Sequence, residues 1–231
     1  MTATVVKPLN FHPPADGEPF ARLRREVRGD VLTDAASRGR YATDASIYQV
    51  EPLAVLVPAS DDDVRIAMTF CAERGIPMLP RGAGTSQCGQ TVGAALVIDH
   101  SKHLDRVVAF DADARTITVE PGIVLDRLNG WLRRHGLWFP VDVSTSAQCT
   151  LGGMAGNNSC GSRSLAYGNM VHNVLAIDAR LADGTQARFG PENDMADAPP
   201  RIRDLLGNLR ALGARERDEI ARVVPKVMRR F

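Results

Sequence analysis

The sequence predicts an α+β fold with two lobes: a small parallel sheet with helices, then an antiparallel sheet with helices. Three observations carry this. An apolar run at 53–57, an amphipathic stretch at 61–74 and a short apolar run at 77–79 read as strand, helix, strand. Two turn signals, Asp111-Ala112-Asp113-Ala114 and Asp183-Gly184, each separate a pair of strand-like runs and read as antiparallel hairpins. Two glycine-rich stretches, at 82–86 and 144–161, fall between these regular segments and have the small-residue content of backbone that must approach something closely.

Taken in order, residues 1–17 are proline-rich and lack periodicity, so they read as an arm. Phe20, Leu23 and Val27 share one face of a short helix, and the N-terminal segment is expected to end at residue 39. Residues 40–46 are polar and turn-like, as in a surface loop. Leu53–Val57 is a buried strand closed by Pro58. Ser60 caps the next helix, with Asp63 as its capping-box partner and Asp61, Asp62 and Asp63 at the positive end of the dipole. Val64, Ala67, Met68 and Cys71 form its apolar stripe, and Gly75 ends it. Ala95–Ile98 is a further buried strand. The first lobe is thus expected over 40–101 and the second over 102–190. In the second, 107–110 and 115–120 form one hairpin, and Val124, Leu125, Leu128, Trp131 and Leu132 make a helix face that closes at Gly136. Leu175, Ile177, Ala179 and Leu181 alternate along a strand that turns at Asp183-Gly184 and returns over 185–189. Several adjacent hairpin strands imply one antiparallel sheet. Residues 191–200 read as a linker. Ile202, Leu205, Leu206 and Leu209 form one helical stripe. Ile220, Val223, Val224, Val227 and Met228 form another, interrupted by Pro225. These helices are expected to lead into a further domain.

Composition narrows the function. The chain has 231 residues, 44% hydrophobic and 24% charged, with a net charge of +1. That suits one or two globular domains and offers no large basic face for nucleic acid. No run approaches a membrane span, and the N-terminus lacks the pattern of an export signal. Cys71, Cys88, Cys149 and Cys160 include no metal-spaced pair and read as reduced thiols of a cytoplasmic protein. The five histidines show no ligand pattern, so no metal site and no catalytic base are assigned.

The chemistry points to the glycine stretches. Pro80-Arg81-Gly82-Ala83-Gly84-Thr85-Ser86 follows a strand at the end where open α/β sheets take ligands. Its successive N–H groups can form an anion nest. Thr85 and Ser86 add hydroxyls, and Arg81 adds a positive charge. The expected guest is a phosphate or pyrophosphate. The loop lacks the Lys-Ser/Thr ending of a Walker loop and the third glycine of a Rossmann fingerprint. The second stretch, Ser144–Gly161, has four glycines and is too glycine-rich for a stable helix interior. Its small residues let backbone lie against a large planar ligand, and Ser146, Thr150, Asn157 and Asn158 offer polar contacts.

These pieces, in this order, resemble the FAD-binding domain of the p-cresol methylhydroxylase and vanillyl-alcohol oxidase superfamily. The specific matches are Pro80–Ser86, Thr150-Leu151-Gly152-Gly153, Asn158 with Gly161, Tyr167-Gly168, and Val174-Leu175 leading to Ala182-Asp183-Gly184. Within it, the chain is most similar to bacterial FAD-linked oxidases related to D-lactate and D-2-hydroxyglutarate dehydrogenases. The resemblance covers about residues 40–190. It implies that the Gly82, Ala83, Gly84, Thr85 and Ser86 amides hold the FAD pyrophosphate, beside Arg81. It implies that Ser146, Thr150, Gly152, Gly153, Asn157, Asn158 and Gly161 line the flavin and ribityl chain, and that backbone near Val174 and Ile177 meets one end of the cofactor. Thr85 holds the place where some relatives carry a flavin-linking histidine, so FAD is expected to be non-covalent. Ala166 stands where close relatives have an arginine before the Tyr-Gly pair. The implied activity is dehydrogenation of a D-2-hydroxy acid by a small-molecule site in a later cap domain, absent from this chain. An iron–sulfur or quinone partner is implied as electron acceptor, at a cytoplasmic location that can be peripheral to the inner membrane. A stand-alone flavin electron-transfer subunit and a UDP-sugar reductase-like flavoprotein are the alternatives.

Overall fold

In the computed structural model, residues 19–190 and 198–224 are described. The proline-rich arm, the linker over 191–197 and the end of the second apolar stripe from Pro225 lie outside the described residues. The chain divides into two compact units, one up to Val174 and one from Leu175 onward.

The first unit begins with α1 (Ala21–Glu26), β1 (Asp30–Leu32), α2 (Ala35–Tyr41), β2 (Ala54–Val57), α3 (Asp61–Arg74), β3 (Met78–Arg81) and β4 (Leu96–Asp99). The four strands form one sheet in the order β1-β2-β4-β3. β2, β4 and β3 are parallel, as the strand–helix–strand reading requires, and β1 is an antiparallel edge. β2 and β4 are buried along their whole length, which explains their unbroken apolar sequence. Phe20, Leu23, Leu56, Ala67, Phe70, Leu96 and Ile98 form the core between this sheet and helices α1 and α3. Each buried Leu, Ile or Phe among them is worth roughly 1.5–3 kcal/mol. β3 is the other edge and contains Pro80, paired with Ile98. A residue without an N–H is tolerated at an edge.

Two first-lobe elements are additions to the sequence reading. β1 is three residues long and exists through its pairing with β2, in which Val31 faces Leu56. α2 contains Gly39 and Ser37, a weak helix sequence, but Asp34 caps it by accepting the Ser37 N–H at 2.9 Å. The Ser60 hydroxyl accepts the Asp63 N–H as expected, but the Asp63 carboxylate does not return the bond to the Ser60 N–H as a capping box would. That carboxylate is buried and accepts N–H groups from Arg28 (2.9 Å), Gly29 (2.9 Å) and Ala59 (2.8 Å), tying β1 and the end of β2 to the start of α3. Gly75 ends α3 at φ 62°, as expected.

The unit continues with β5 (Val107–Asp111), β6 (Thr116–Val119), α4 (Leu125–Arg133), α5 (Leu151–Gly156), α6 (Ser164–Tyr167) and α7 (Met170–Asn173). β5 and β6 pair antiparallel, and Asp111 closes their turn by accepting the Ala114 N–H. A second core gathers Ile123, Leu125, Leu128, Leu132, Val141, Leu151, Met154 and Met170. The unit beyond Val174 holds β7 (Ile177–Arg180), β8 (Gln186–Phe189), α8 (Pro200–Arg215) and α9 (Arg217–Val223). β7 and β8 form the expected hairpin around Asp183-Gly184. The expected single antiparallel sheet is corrected here: β5-β6 and β7-β8 are separate two-stranded ladders among the described residues. Alternation in sequence identifies hairpins but does not say which hairpins share hydrogen bonds.

Candidate functional site

The first glycine stretch leaves β3 at its carboxyl end, as predicted. Gly84 adopts φ 69°, a conformation that favours glycine. Its carbonyl accepts the Ala45 N–H at 3.1 Å, which turns that oxygen inward. The N–H groups of Gly82, Ala83, Gly84, Thr85 and Ser86 have no protein acceptor among the described residues. All five residues are at least partly accessible. Amides left open in succession are what an anion nest offers a pyrophosphate.

The two glycine stretches meet. A β-carbon at Gly82 would overlap the hydroxyl of Thr150, so only glycine lets the first loop lie against the second. Gln90, just beyond the first loop, adds a side-chain link. It is hydrogen-bonded to Ser86 and donates to the Asn157 carbonyl oxygen at 3.4 Å, and Asn157 in turn donates to the Ser159 hydroxyl at 3.2 Å.

The second stretch differs from its sequence reading. It contains helix α5 despite three glycines in six residues. Thr150 is buried and caps the helix by accepting the Gly153 N–H at 3.4 Å, while Leu151 and Met154 anchor one face in the second core. Tertiary packing here overrides a poor intrinsic propensity. Gly152 serves close packing: its N–H donates to the Pro121 carbonyl at 2.8 Å, and a β-carbon would sit 2.6 Å from the Pro121 side chain. Gly161 permits similar contact with Asp142. Asp142 accepts from Ser162, the Arg163 N–H and Arg163 Nε (2.8 Å), and that guanidinium holds its carboxyl below the usual range. Arg163 also stacks over Trp138 at 4.9 Å and Tyr167 at 5.7 Å, beside the position where Ala166 stands. Asn158 has φ 47° and accepts the Val171 N–H at 3.0 Å, so its side-chain oxygen fixes α7. The Ser146 carbonyl accepts the Asp126 N–H at 3.1 Å, and Val174 caps α7. Ile177, on β7, belongs to the second unit; the other predicted site residues lie in the first.

Arg81 departs most from its expected part. It is only 9% exposed, and its guanidinium points into the protein. Nη1 donates to the carbonyls of Tyr41 (3.2 Å) and Thr91 (3.1 Å), and Nη2 to that of Thr43 (2.9 Å). Its charge therefore does not extend from the loop as a phosphate ligand. The 40–46 segment, expected as a plain surface loop, packs against the glycine turn instead. Tyr41 lies under the guanidinium at 5.3 Å and donates its hydroxyl to the buried Asp99 at 2.6 Å. Burial, then the Asp99 bond, raises the Tyr41 phenol above its ordinary value; burial lowers the Arg81 pKa, offset by Asp99 and Asp44. Asp44 accepts the Thr91 hydroxyl at 2.9 Å. Tyr41, Thr43, Asp44, Gln90, Thr91 and Asp142 were missed because nothing local in the sequence marks contacts across tens of residues.

The open amides, the positive φ and the glycine-only contact with Thr150 fit a dinucleotide pyrophosphate. Among the described residues no group of three or more His, Cys, Asp and Glu could hold a metal, and no helix is long and apolar enough to cross a membrane.

The FAD binding domain family matches residues 52–190. The chain is 33% identical over 210 residues to D-2-hydroxyglutarate dehydrogenase of Pseudomonas putida, covering 87% of this chain and 21% of that protein. It is 35% identical over 173 residues to glycolate oxidase subunit GlcD of Bacillus subtilis, covering 71% of this chain and 36% of that one. It thus spans a fifth to about a third of these relatives' length. Among solved structures, alkyldihydroxyacetonephosphate synthase superposes with a TM-score of 0.69 at 19% identity, covering 82% of this chain and 38% of that one. The fold is that of FAD-binding domains of the p-cresol methylhydroxylase type, and the chain belongs to the FAD binding domain family.

Proposed function

We propose that this chain is the FAD-holding part of a flavin-dependent dehydrogenase that oxidises a D-2-hydroxy acid, with FAD bound non-covalently. The run of acceptor-free N–H groups from Gly82 to Ser86, set against Thr150, carries the reading. The names of the relatives support the substrate class, since D-2-hydroxyglutarate and glycolate are both 2-hydroxy acids. The FAD-binding domain is taken as residues 40–190. Its loop amides hold the pyrophosphate. Ser146, Thr150, Gly152, Gly153, Asn157, Asn158 and Gly161 line the flavin and ribityl chain, and backbone at Val174 meets one end of the cofactor. Bound FAD supplies the acceptor for the hydride leaving the substrate's α-carbon, and the protein supplies binding and orientation. Substrate carboxylate binding and proton abstraction belong to residues outside this chain. An iron–sulfur centre or quinone takes the electrons, at a cytoplasmic location.

The test is reconstitution of the purified chain with FAD, followed by desalting. The expected result is a visible flavin spectrum near one FAD per chain, released intact by acid as non-covalent cofactor. A chain that stays colourless overturns the reading. Anaerobic addition of D-2-hydroxyglutarate to the full-length enzyme should bleach the flavin band; an unchanged band removes the substrate assignment.

A further inference from the structure

We propose that Arg81 sets the affinity for the dinucleotide from beneath the glycine loop, as a positioning residue that does not touch the phosphates. The inference rests on the reading of Gly82–Ser86 as the pyrophosphate cradle. Four observations point to it. The guanidinium is buried, and three of its N–H donors are given to carbonyls of two segments distant in sequence, Tyr41 with Thr43 and Thr91. It lies directly under the turn: a β-carbon at Gly84 would overlap Arg81 Nη2. The same segment is fastened to the turn by the Ala45 N–H to the Gly84 carbonyl. No carboxylate pairs directly with the guanidinium among the described residues. Asp44 and Asp99 are the acids whose charge it feels, and each is engaged elsewhere, with Thr91 and with Tyr41.

Two effects follow. Bonds from a charged donor to three carbonyls fix the walls that hold the turn, so the five N–H groups are aimed before any ligand arrives. A cation below a row of N–H dipoles, screened from water by burial, also adds to the positive potential over the loop. Lysine would keep the charge but not the planar fork that reaches three carbonyls at once. The glycine at 84 is then required twice, for its φ and for the space the guanidinium occupies.

The test uses the 231-residue chain and three probes: FAD, ADP and riboflavin. Arg81→Lys and Arg81→Ala are assayed where circular dichroism shows them folded. Both should weaken FAD and ADP by roughly ten- to a hundredfold, the loss expected for charged hydrogen bonds. Riboflavin, which lacks the pyrophosphate, should bind as it does to the wild type. Millimolar guanidinium should restore ADP binding to Arg81→Ala, whereas methylammonium should not. Equal weakening of all three probes would mean a general loss of structure and overturns the proposal, as do unchanged affinities. If neither variant folds, the wild-type structure with FAD decides. Arg81 should keep its bonds to Tyr41, Thr43 and Thr91, with no phosphate oxygen within hydrogen-bond reach; a guanidinium on the phosphate overturns the proposal. Failure of the wild type to bind FAD or ADP at all is a different outcome and removes the cradle assignment itself.

Discussion

Asp63 is a buried carboxylate that accepts three backbone N–H groups, so its removal leaves three donors without a partner. Asp63→Ala should lower unfolding stability by about 3–5 kcal/mol in urea titration, and Asp63→Asn, which keeps an acceptor, by less. The site glycines divide by the same kind of reasoning. Gly84 combines a positive φ with the guanidinium below it, so Gly84→Val should cost fold stability together with FAD binding. Gly153 has ordinary φ and meets only the Thr150 hydroxyl at 3.2 Å. Gly153→Val should therefore lose FAD retention while keeping most of its far-UV circular dichroism. Retained FAD at wild-type stoichiometry would place the flavin elsewhere. Gly130, exposed within α4 and open around its α-carbon, is the control. Gly130→Ala should raise stability by about 0.5–1 kcal/mol and leave FAD binding unchanged.

Among the elements, α3 carries a pH dependence. Burial pushes the Cys71 thiol from its ordinary 9.0 up to about 12. The folded state therefore keeps its proton where the unfolded chain has lost it. This stability is fully present below pH 9 and is lost as pH rises toward 12, and Tyr41, also raised, adds a loss that begins above pH 10. Cys71→Ala should flatten the alkaline fall in urea midpoint between about pH 8 and about pH 10.5 relative to wild type. Elements with strong local signals were legible in the sequence. α3 has a Ser60 cap, a four-residue apolar stripe and a left-handed Gly75, and the β7–β8 turn has Asp183-Gly184. Elements made by tertiary contact were not. β1 is only as long as its pairing with β2, and α5 is held by Leu151 and Met154 against its glycines. The lesson of α5 is that propensity fails where a helix is short and packed on both a cap and a core.

For the whole molecule, binding and stability are linked. A cofactor that binds only the folded chain should raise stability by about 2.7 kcal/mol at a free concentration one hundred times its Kd. Thermal unfolding should thus move upward continuously with added FAD, whereas a midpoint indifferent to FAD would deny binding to the native state. The glycine turn itself was legible because its requirements are local: small residues and a tight reversal straight after a strand. What holds the cradle was not, because Tyr41, Thr43 and Thr91 reach Arg81 only through the fold. One feature of the parallel sheet bears on how the protein behaves in crowded solution. Strand β3 ends the sheet and leads straight into the glycine turn, and among the described residues no strand lies on its outer side. Pro80 leaves a gap in the row of donors that a stray polypeptide would need for docking, and the ring resists continuation of the ladder. The imino acid therefore defends this border against self-association, and replacing it with valine should increase aggregation, which light scattering detects.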